Sequence, residues 1–325
     1  MSDQANRLRD IIKAKNEGQP PEADGGSMQT LLADLLNDKH TAKPTAKVIT
    51  ITSGKGGVGK TNFTVNLAIA LGRMGKRVVV IDADFGLANI EVLLGIVPKR
   101  SFADVFAQKC TIQEVLTPGP LGVNFISGGS GLSNMSSISN DQLKHIIENF
   151  DVLDAMADFV LIDTGAGISK SVMAFVLASN ESIVITTPEP TSITDAYAVI
   201  KTAKEEMPDP PTFKIVVNRV ESKEEGFDIY HKLSRVCSKF LMMEVENLGF
   251  IPYDHNLVKA VKKQTPVSVG FPQSGATLAI NEVCRKLLFG ESALQDLKQE
   301  AGGAEAQGGM KSFVKRLTGL FKNKA

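Results

Sequence analysis

Cysteine is scarce in this chain. Its three cysteines, Cys110, Cys237 and Cys284, are odd in number and far apart, which excludes a disulfide framework and a C-x-x-C metal knuckle and fits a reducing cytoplasm. The four histidines include no H-x-x-x-H pair, so a structural zinc site lacks a ligand set. No apolar run approaches the roughly 18 residues of a membrane span, and residues 1–10 are too polar for a secretory leader. An excess of one charge is missing as well: 36 Lys and Arg balance 36 Asp and Glu. No global field therefore draws the protein to nucleic acid or membrane, no specific nucleic-acid partner is expected, and any such attraction must come from a local patch. What is present is 325 residues of ordinary globular composition, enough for one large α/β domain or two small ones.

Four segments differ in texture. Residues 1–46 are polar and carry Gly18, Pro20, Pro21, Gly25 and Gly26 between two short helical patterns, Ala5/Leu8/Ile11/Ile12 and Met28/Leu31/Leu32/Leu35. Both are too short to be stable alone. Over residues 47–290, apolar runs at 48–52, 78–81, 123–126, 159–162, 183–186, 213–217 and 245–251 alternate with helix-length amphipathic stretches. Runs that are nearly all apolar suit strands covered on both faces, so the expectation is an α/β domain with a doubly wound, mostly parallel sheet flanked by helices. Its ligands should lie beyond the carboxyl ends of the strands. Residues 291–309 read as a linker, flexible by composition over 299–309. Residues 310–325 read as a separate amphipathic helix.

The chemistry is announced directly after the first run. Gly54-Lys55-Gly56-Gly57-Val58-Gly59-Lys60-Thr61, followed by a helical stretch from Asn62, is G-x-x-x-x-G-K-[ST] in its strand–loop–helix setting. The glycines let backbone N–H groups point at phosphates, and the helix N-terminus adds its dipole. Lys60 would reach the β- and γ-phosphates of a nucleotide and the Thr61 hydroxyl would ligate Mg²⁺. The early Lys55 cannot easily fold back onto its own phosphates, because the loop backbone fills that space, but it could reach a nucleotide in a facing subunit.

These residues resemble the deviant Walker A motif of the MinD/ParA ATPases. In that family the extra lysine acts in trans across an ATP-sandwiched homodimer. Further landmarks follow in order. Residues 81–89 (IDADFGLAN) look like the first switch, 162–167 (IDTGAG) like the Walker B segment and second switch, and 186–190 (TTPEP) like the next strand end. Asn218-Arg219 and Ile251-Pro252 look like the adenine-binding segments. The resemblance implies an Mg²⁺-dependent ATPase. Its P-loop would bind ATP or ADP through residues 54–62, Asn62 included, and Asn218, Arg219 and Pro252 would hold the base. Asp82 and Asp163 would share the metal with Thr61. Lys55, Lys60 and Asp84 would carry hydrolysis, Asp84 orienting the attacking water. Asp195 resembles positions on the family's partner-binding surface.

The two ends narrow the reading. Met310, Phe313, Val314, Leu317, Leu320 and Phe321 form one helical stripe, with Lys311, Lys315, Arg316, Lys322 and Lys324 elsewhere and no acid. Such a basic amphipathic helix reads as a binder of anionic membrane surfaces. Each basic residue contributes on the order of 1 kcal/mol, so one tail binds marginally and two on a dimer bind better. The tail also resembles the membrane-targeting sequence of MinD-type proteins. At the other end, residues 3–9 (DQANRLR) resemble the D-Q-A-x-x-L-R motif of the FlhG family (also called FleN or YlxH), MinD-like regulators of flagellar number. The resemblance implies that Gln4, Arg7, Leu8 and Arg9 stimulate the GTPase FlhF. It also implies flagellar switch components or a transcriptional regulator as further partners, and residence in the cytoplasm and on the inner face of its membrane, a polar position remaining open. Alternatives are a MinD-type division ATPase, a ParA-type partitioning ATPase or a nucleotide-locked scaffold without turnover. A nitrogenase-iron-protein type is excluded, because residues 163–172 hold no cysteine for a cluster.

Overall fold

A computed structural model describes residues 45–84, 89–129, 149, 152–296, 309–310, 312–314 and 316–317. Gln4, Arg7, Leu8, Arg9, Leu320 and Phe321 lie outside the described residues. Among the described residues, eight strands form one sheet: β1 (Lys47–Ser53), β2 (Val78–Ala83), β3 (Thr117–Pro118), β4 (Asn124–Ile126), β5 (Phe159–Ala166), β6 (Glu181–Thr186), β7 (Thr212–Val220) and β8 (Glu246–Pro252). Their spatial order is β3-β4-β2-β5-β1-β6-β7-β8. Every neighbouring pair is parallel except β3 with β4. The helices are α1 (Lys60–Arg73), α2 (Asn89–Leu94), α3 (Phe102–Phe106), α4 (Ile112–Val115), α5 (Lys170–Ala178), α6 (Pro190–Glu206), α7 (Lys223–Leu241), α8 (His255–Lys262), α9 (Val267–Gly270) and α10 (Gly275–Asp296). None of the described helices is long and apolar enough to cross a membrane.

The strands form where β-branched residues cluster, and their period of two divides the core. Ile49, Ile51, Val78, Val80, Leu161, Ile183 and Ile185 pack on one face with α1 and α10. Val48, Val79, Ile81, Val160 and Ile162 point the other way, towards α5. Val184, Ile215 and Val217 continue that face under α6 and α7. Burying both faces requires continuous apolar strands, which is what the sequence pattern contains. All three cysteines are free and buried, and burial pushes the thiols of Cys237 and Cys284 up to about 11. They are core residues rather than reactive ones.

Two expectations meet a different outcome. Residues 291–296, expected in the linker, continue α10 past a break at Gly290 (φ 77°, ψ 177°). Glu291, Ala293, Leu294 and Gln295 are good helix formers, and only the glycine interrupts them. The described residues of the tail, 310, 312–314 and 316–317, are helical, and their part of the stripe faces the domain instead of solvent. Met310, Phe313, Val314 and Leu317 are at most 4% exposed and join the core cluster of α5. The Phe313 ring stacks on Phe175 at 6.2 Å. Asp154 Oδ1 accepts from Met310 N at 2.8 Å and from Ala46 N at 3.0 Å, so the tail and the entry to β1 share one carboxylate. Arg316 donates through Nε to the Ala178 carbonyl at 2.9 Å, while its Nη2 is buried without a hydrogen-bond partner.

Candidate nucleotide site

Strand β1 is central, and its carboxyl end opens into Gly54–Gly59. Gly57 and Gly59 have φ of 77° and 96°, the left-handed region that favours glycine. A Cβ on Gly59 would stand 2.5 Å from Asn218 Nδ2. Only the bare backbone fits there. Three other helices are capped by side chains: Ser169 accepts from Val172 N, Ser222 from Glu225 N and Asp254 from Asn256 N. Helix α1 has Gly59 at its N-cap and no side-chain cap, so its first N–H groups remain available to an anion.

Beneath the loop lies a buried polar knot. Asp82 of β2 and Asp163 of β5 are register partners on adjacent strands. Asp163 is fully buried and accepts from Lys60 Nζ at 3.3 Å, Thr61 Oγ1 at 2.6 Å and Thr64 Oγ1 at 3.0 Å, all on α1. Asp82 accepts from the backbone N–H groups of Asp84, Asn89 and Ile90 at 3.0–3.2 Å. Burial, and secondly the neighbouring Asp163, push Asp82 up to about 7. Burial likewise raises Asp163, against the opposing pull of Lys60, Thr61 and Thr64. Two strained carboxylates side by side, with a threonine hydroxyl on one of them, constitute a donor set that a hard cation relieves. Among the described residues no three His, Cys, Asp or Glu side chains stand together as a metal cage. Asp84 accepts from Asn89 Nδ2 at 3.3 Å and stands against the bare Cα of Gly165, so the two switch segments meet beside the metal donors.

The pH dependence of stability follows. An Asp82 raised from 3.8 to about 7 favours the folded state when protonated, so its contribution is complete below about 4 and is lost as pH rises through 7. Asp104, Glu114, Asp158, Glu189, Glu224 and Asp254 are lowered and act at more acid pH. The nucleotide-free protein in chelator should therefore melt several degrees lower at pH 8 than at pH 5.5, and Mg²⁺–nucleotide should flatten that slope. Melting curves that rise towards pH 8 without ligand would contradict the assignment.

Asn218, Arg219 and Pro252 come together at the far side of the loop. Asn218 Nδ2 donates to the Val58 carbonyl at 2.7 Å and its Oδ1 accepts from Arg219 N at 2.9 Å. Arg219, itself at a φ of 61°, donates to the Gly57 carbonyl at 2.7 Å. These three residues line a cleft of about 430 Å³ with Asn62, Phe63, Tyr253, Leu257, Val258 and Val261. The apolar wall from α8 was not foreseen, although Leu257, Val258 and Val261 repeat at helical spacing. The cleft is open beside the loop, with a largely apolar wall and the Asn218 amide on its rim.

Lys55 stands apart from this knot. Its Nζ donates to Glu189 Oε2 at 2.6 Å and to Thr191 Oγ1 at 3.0 Å. Neither partner was singled out from the sequence. Asp195 is half-buried, and its backbone lies against Gly54, where a Cβ would come within 2.2 Å.

A mostly parallel sheet with a P-loop at its centre, paired carboxylates on adjacent strands and an apolar cleft beside the loop defines a P-loop nucleotide-binding protein, and residues 49–267 match the CobQ/CobB/MinD/ParA nucleotide binding domain. The chain belongs to this MinD/ParA family and within it is of the FlhG (FleN/YlxH) type. It is 44% identical over 241 residues to the antiactivator FleN of Pseudomonas aeruginosa, covering 74% of this chain and 86% of that protein. It is 33% identical over 294 residues to the flagellum site-determining protein YlxH of Helicobacter pylori, covering 88% and 96%. Among solved structures, the septum site-determining protein MinD of Pyrococcus horikoshii, complexed with Mg-ADP, is similar with a TM-score of 0.61 at 25% identity, over 79% of this chain and all of that one.

Proposed function

We propose that this protein is an Mg²⁺-dependent ATPase working as a molecular switch. It dimerises on ATP, binds the inner face of the cytoplasmic membrane as the dimer, and regulates the number or placement of flagella. The observation that carries the reading is the division of labour between two lysines: Lys60 is buried against Asp163 inside the cradle, whereas Lys55 lies outside it at the surface. The first N–H groups of α1 and Lys60 would hold the phosphates; Thr61, Asp82 and Asp163 would hold Mg²⁺. The bound metal would neutralise charge on the β- and γ-oxygens. Asp84 would orient the attacking water, with Gly165 leaving room for it, and Lys55 would act on the phosphates of the facing subunit. Hydrolysis needs little covalent help and rests on this positioning.

Flagellar function is supported by the similarity to FleN and YlxH and by the sequence of residues 3–9. The test is GTP hydrolysis by FlhF with the full-length chain and with its Arg7→Ala/Arg9→Ala variant. Stimulation by the first and its loss in the second is the expected result. No stimulation by either would return MinD-type division or another positioning role to equal standing.

A further inference from the structure

Two distant segments meet at one side chain. Asp154 sits on a helical turn over residues 152–156, and its neighbours Leu153 and Ala157 belong to the core cluster that also holds Ala46, Met310 and Phe313. Its Oδ1 accepts from Ala46 N, 108 residues away along the chain, at 3.0 Å, and from Met310 N, 156 residues away, at 2.8 Å. Met310 opens the tail helix. The leading N–H groups of a helix have no partner within it, and Gly309 has no side chain to cap them. Asp154 therefore supplies, from another segment, the anion that a helix N-terminus favours. Ala46 lies one residue ahead of β1, and the pairing of β1 with β5 begins only at Lys47, so its buried N–H finds its acceptor in the same carboxylate. The two segments also touch directly: a Cβ on Gly309 would stand 2.3 Å from Thr45 Cβ.

We propose that Asp154 is a latch: one carboxylate holds both the docked tail and the segment that leads from residues 1–44 into β1, so that freeing either loosens the other. Sharing is what couples them. Fixing the carboxylate in one rotamer costs conformational entropy, and with both donors in place that entropy is lost once for two hydrogen bonds. When the tail leaves, the carboxylate must be ordered for Ala46 alone, and Thr45 loses its packing on Gly309. Coupling of this kind is reciprocal. A partner that pulls residues 45–46 off Asp154 raises tail release by the same factor as tail release raises the freedom of residues 45–46. The latch stands independently of the function proposed above, but its use rests on that reading: with the released tail on a membrane and the N-terminal extension on a partner, each event favours the other. Coupling between sites ordinarily starts at about 5-fold, and Asp154 is only half-buried, so solvent screening places the latch near that low end.

The experiment uses the full-length chain without nucleotide or lipid, so its outcome does not depend on the membrane reading. Phe313→Asp puts a charge into the groove and undocks the tail, yet changes no residue that bonds Asp154. Hydrogen–deuterium exchange, resolved to single residues by fragmentation in a mass spectrometer, follows the Ala46 and Met310 amides. Ala46 should exchange about 5-fold faster in Phe313→Asp than in the wild type, and the milder Phe313→Ala/Leu317→Ala should move it the same way. Asp154→Ala, a change to a good helix former, should speed both amides together. Adding Phe313→Asp to it should then move Ala46 by less than about twofold, as for independent sites. An Ala46 rate that stays put while the tail amides of both tail variants exchange freely overturns the latch. So does a second step of full size in the Asp154→Ala/Phe313→Asp protein, which would place the coupling in the Gly309–Thr45 packing instead of the carboxylate.

Discussion

A Lys55→Ala protein should bind ATP with little change and hydrolyse it at least about 10³-fold more slowly, the lower end of what a trans-acting arginine finger supplies in related phosphoryl transfer. Binding should survive because its determinants lie elsewhere: Lys60 and Thr61 on Asp163, the uncapped start of α1 and the base cleft around Asn218. Turnover should not survive, because Lys55 would supply the charge that reaches the facing nucleotide. Loss alone would not distinguish trans from cis, so the deciding measurement is complementation. An Asp84→Ala subunit lacks the carboxylate proposed to orient the water but keeps Lys55. Mixed with Lys55→Ala, it forms hybrid dimers with one complete site, and an equal mixture of two inactive proteins should recover roughly a quarter of wild-type activity by statistical pairing. Absence of recovery, with hybrid dimers demonstrated, would place the lysine's action within its own subunit.

Much of this site was legible because its parts are contiguous or lie at strand ends. The phosphate loop is eight consecutive residues, and Asp82 and Asp163 each follow a run of apolar residues that can only be a covered strand. Strand pairing then aligns them, a fact of register that the two motifs suggest only together. Glu189 was harder to see. It lies 134 residues from Lys55, and nothing in a strand-end motif says which side chain faces another loop. The α8 wall of the base cleft was hidden for the same reason: Leu257, Val258 and Val261 show an amphipathic helix but not what it covers. The tail posed an ambiguity that no pattern resolves. Met310, Phe313, Val314 and Leu317 present the same stripe whether the apolar medium beyond is lipid or the side chains of α5, because burial is non-directional. The linker boundary expected at 291 moves because the residues after Gly290 favour helix.

That ambiguity leads to a second large effect. Gly309→Ala should release the tail and let the protein bind anionic liposomes without ATP. Gly309 is where the tail helix begins, its carbonyl accepting from Phe313 N at 3.2 Å. A Cβ there would lie 2.3 Å from Thr45 Cβ and 2.8 Å from both carboxylate oxygens of Asp154, the residue that also holds Met310 N and Ala46 N. No rotamer of those neighbours removes a backbone-mounted methyl, so the start of the helix must move. Docking is poorly placed to resist. Four buried apolar side chains contribute roughly 6–12 kcal/mol as an upper bound, and fixing about eight residues costs about 8–16 kcal/mol of conformational entropy. The balance is near zero before Arg316 is counted, and its buried Nη2 lacks a hydrogen-bond partner, which weakens docking further. At a membrane the same stripe would enter lipid and the guanidinium would meet phosphates, so docking and membrane binding would compete for one set of side chains. ATP-driven pairing would favour the membrane by presenting two tails; Gly309→Ala should favour it by weakening the groove. Flotation with anionic vesicles should show the nucleotide-free variant on the lipid and the wild type largely off it, and cleavage near residue 309 by a limiting protease should quicken. A variant that stays protected and unbound without ATP would mean that the groove tolerates the methyl and that its hold on the tail lies in the Phe313–Phe175 stack.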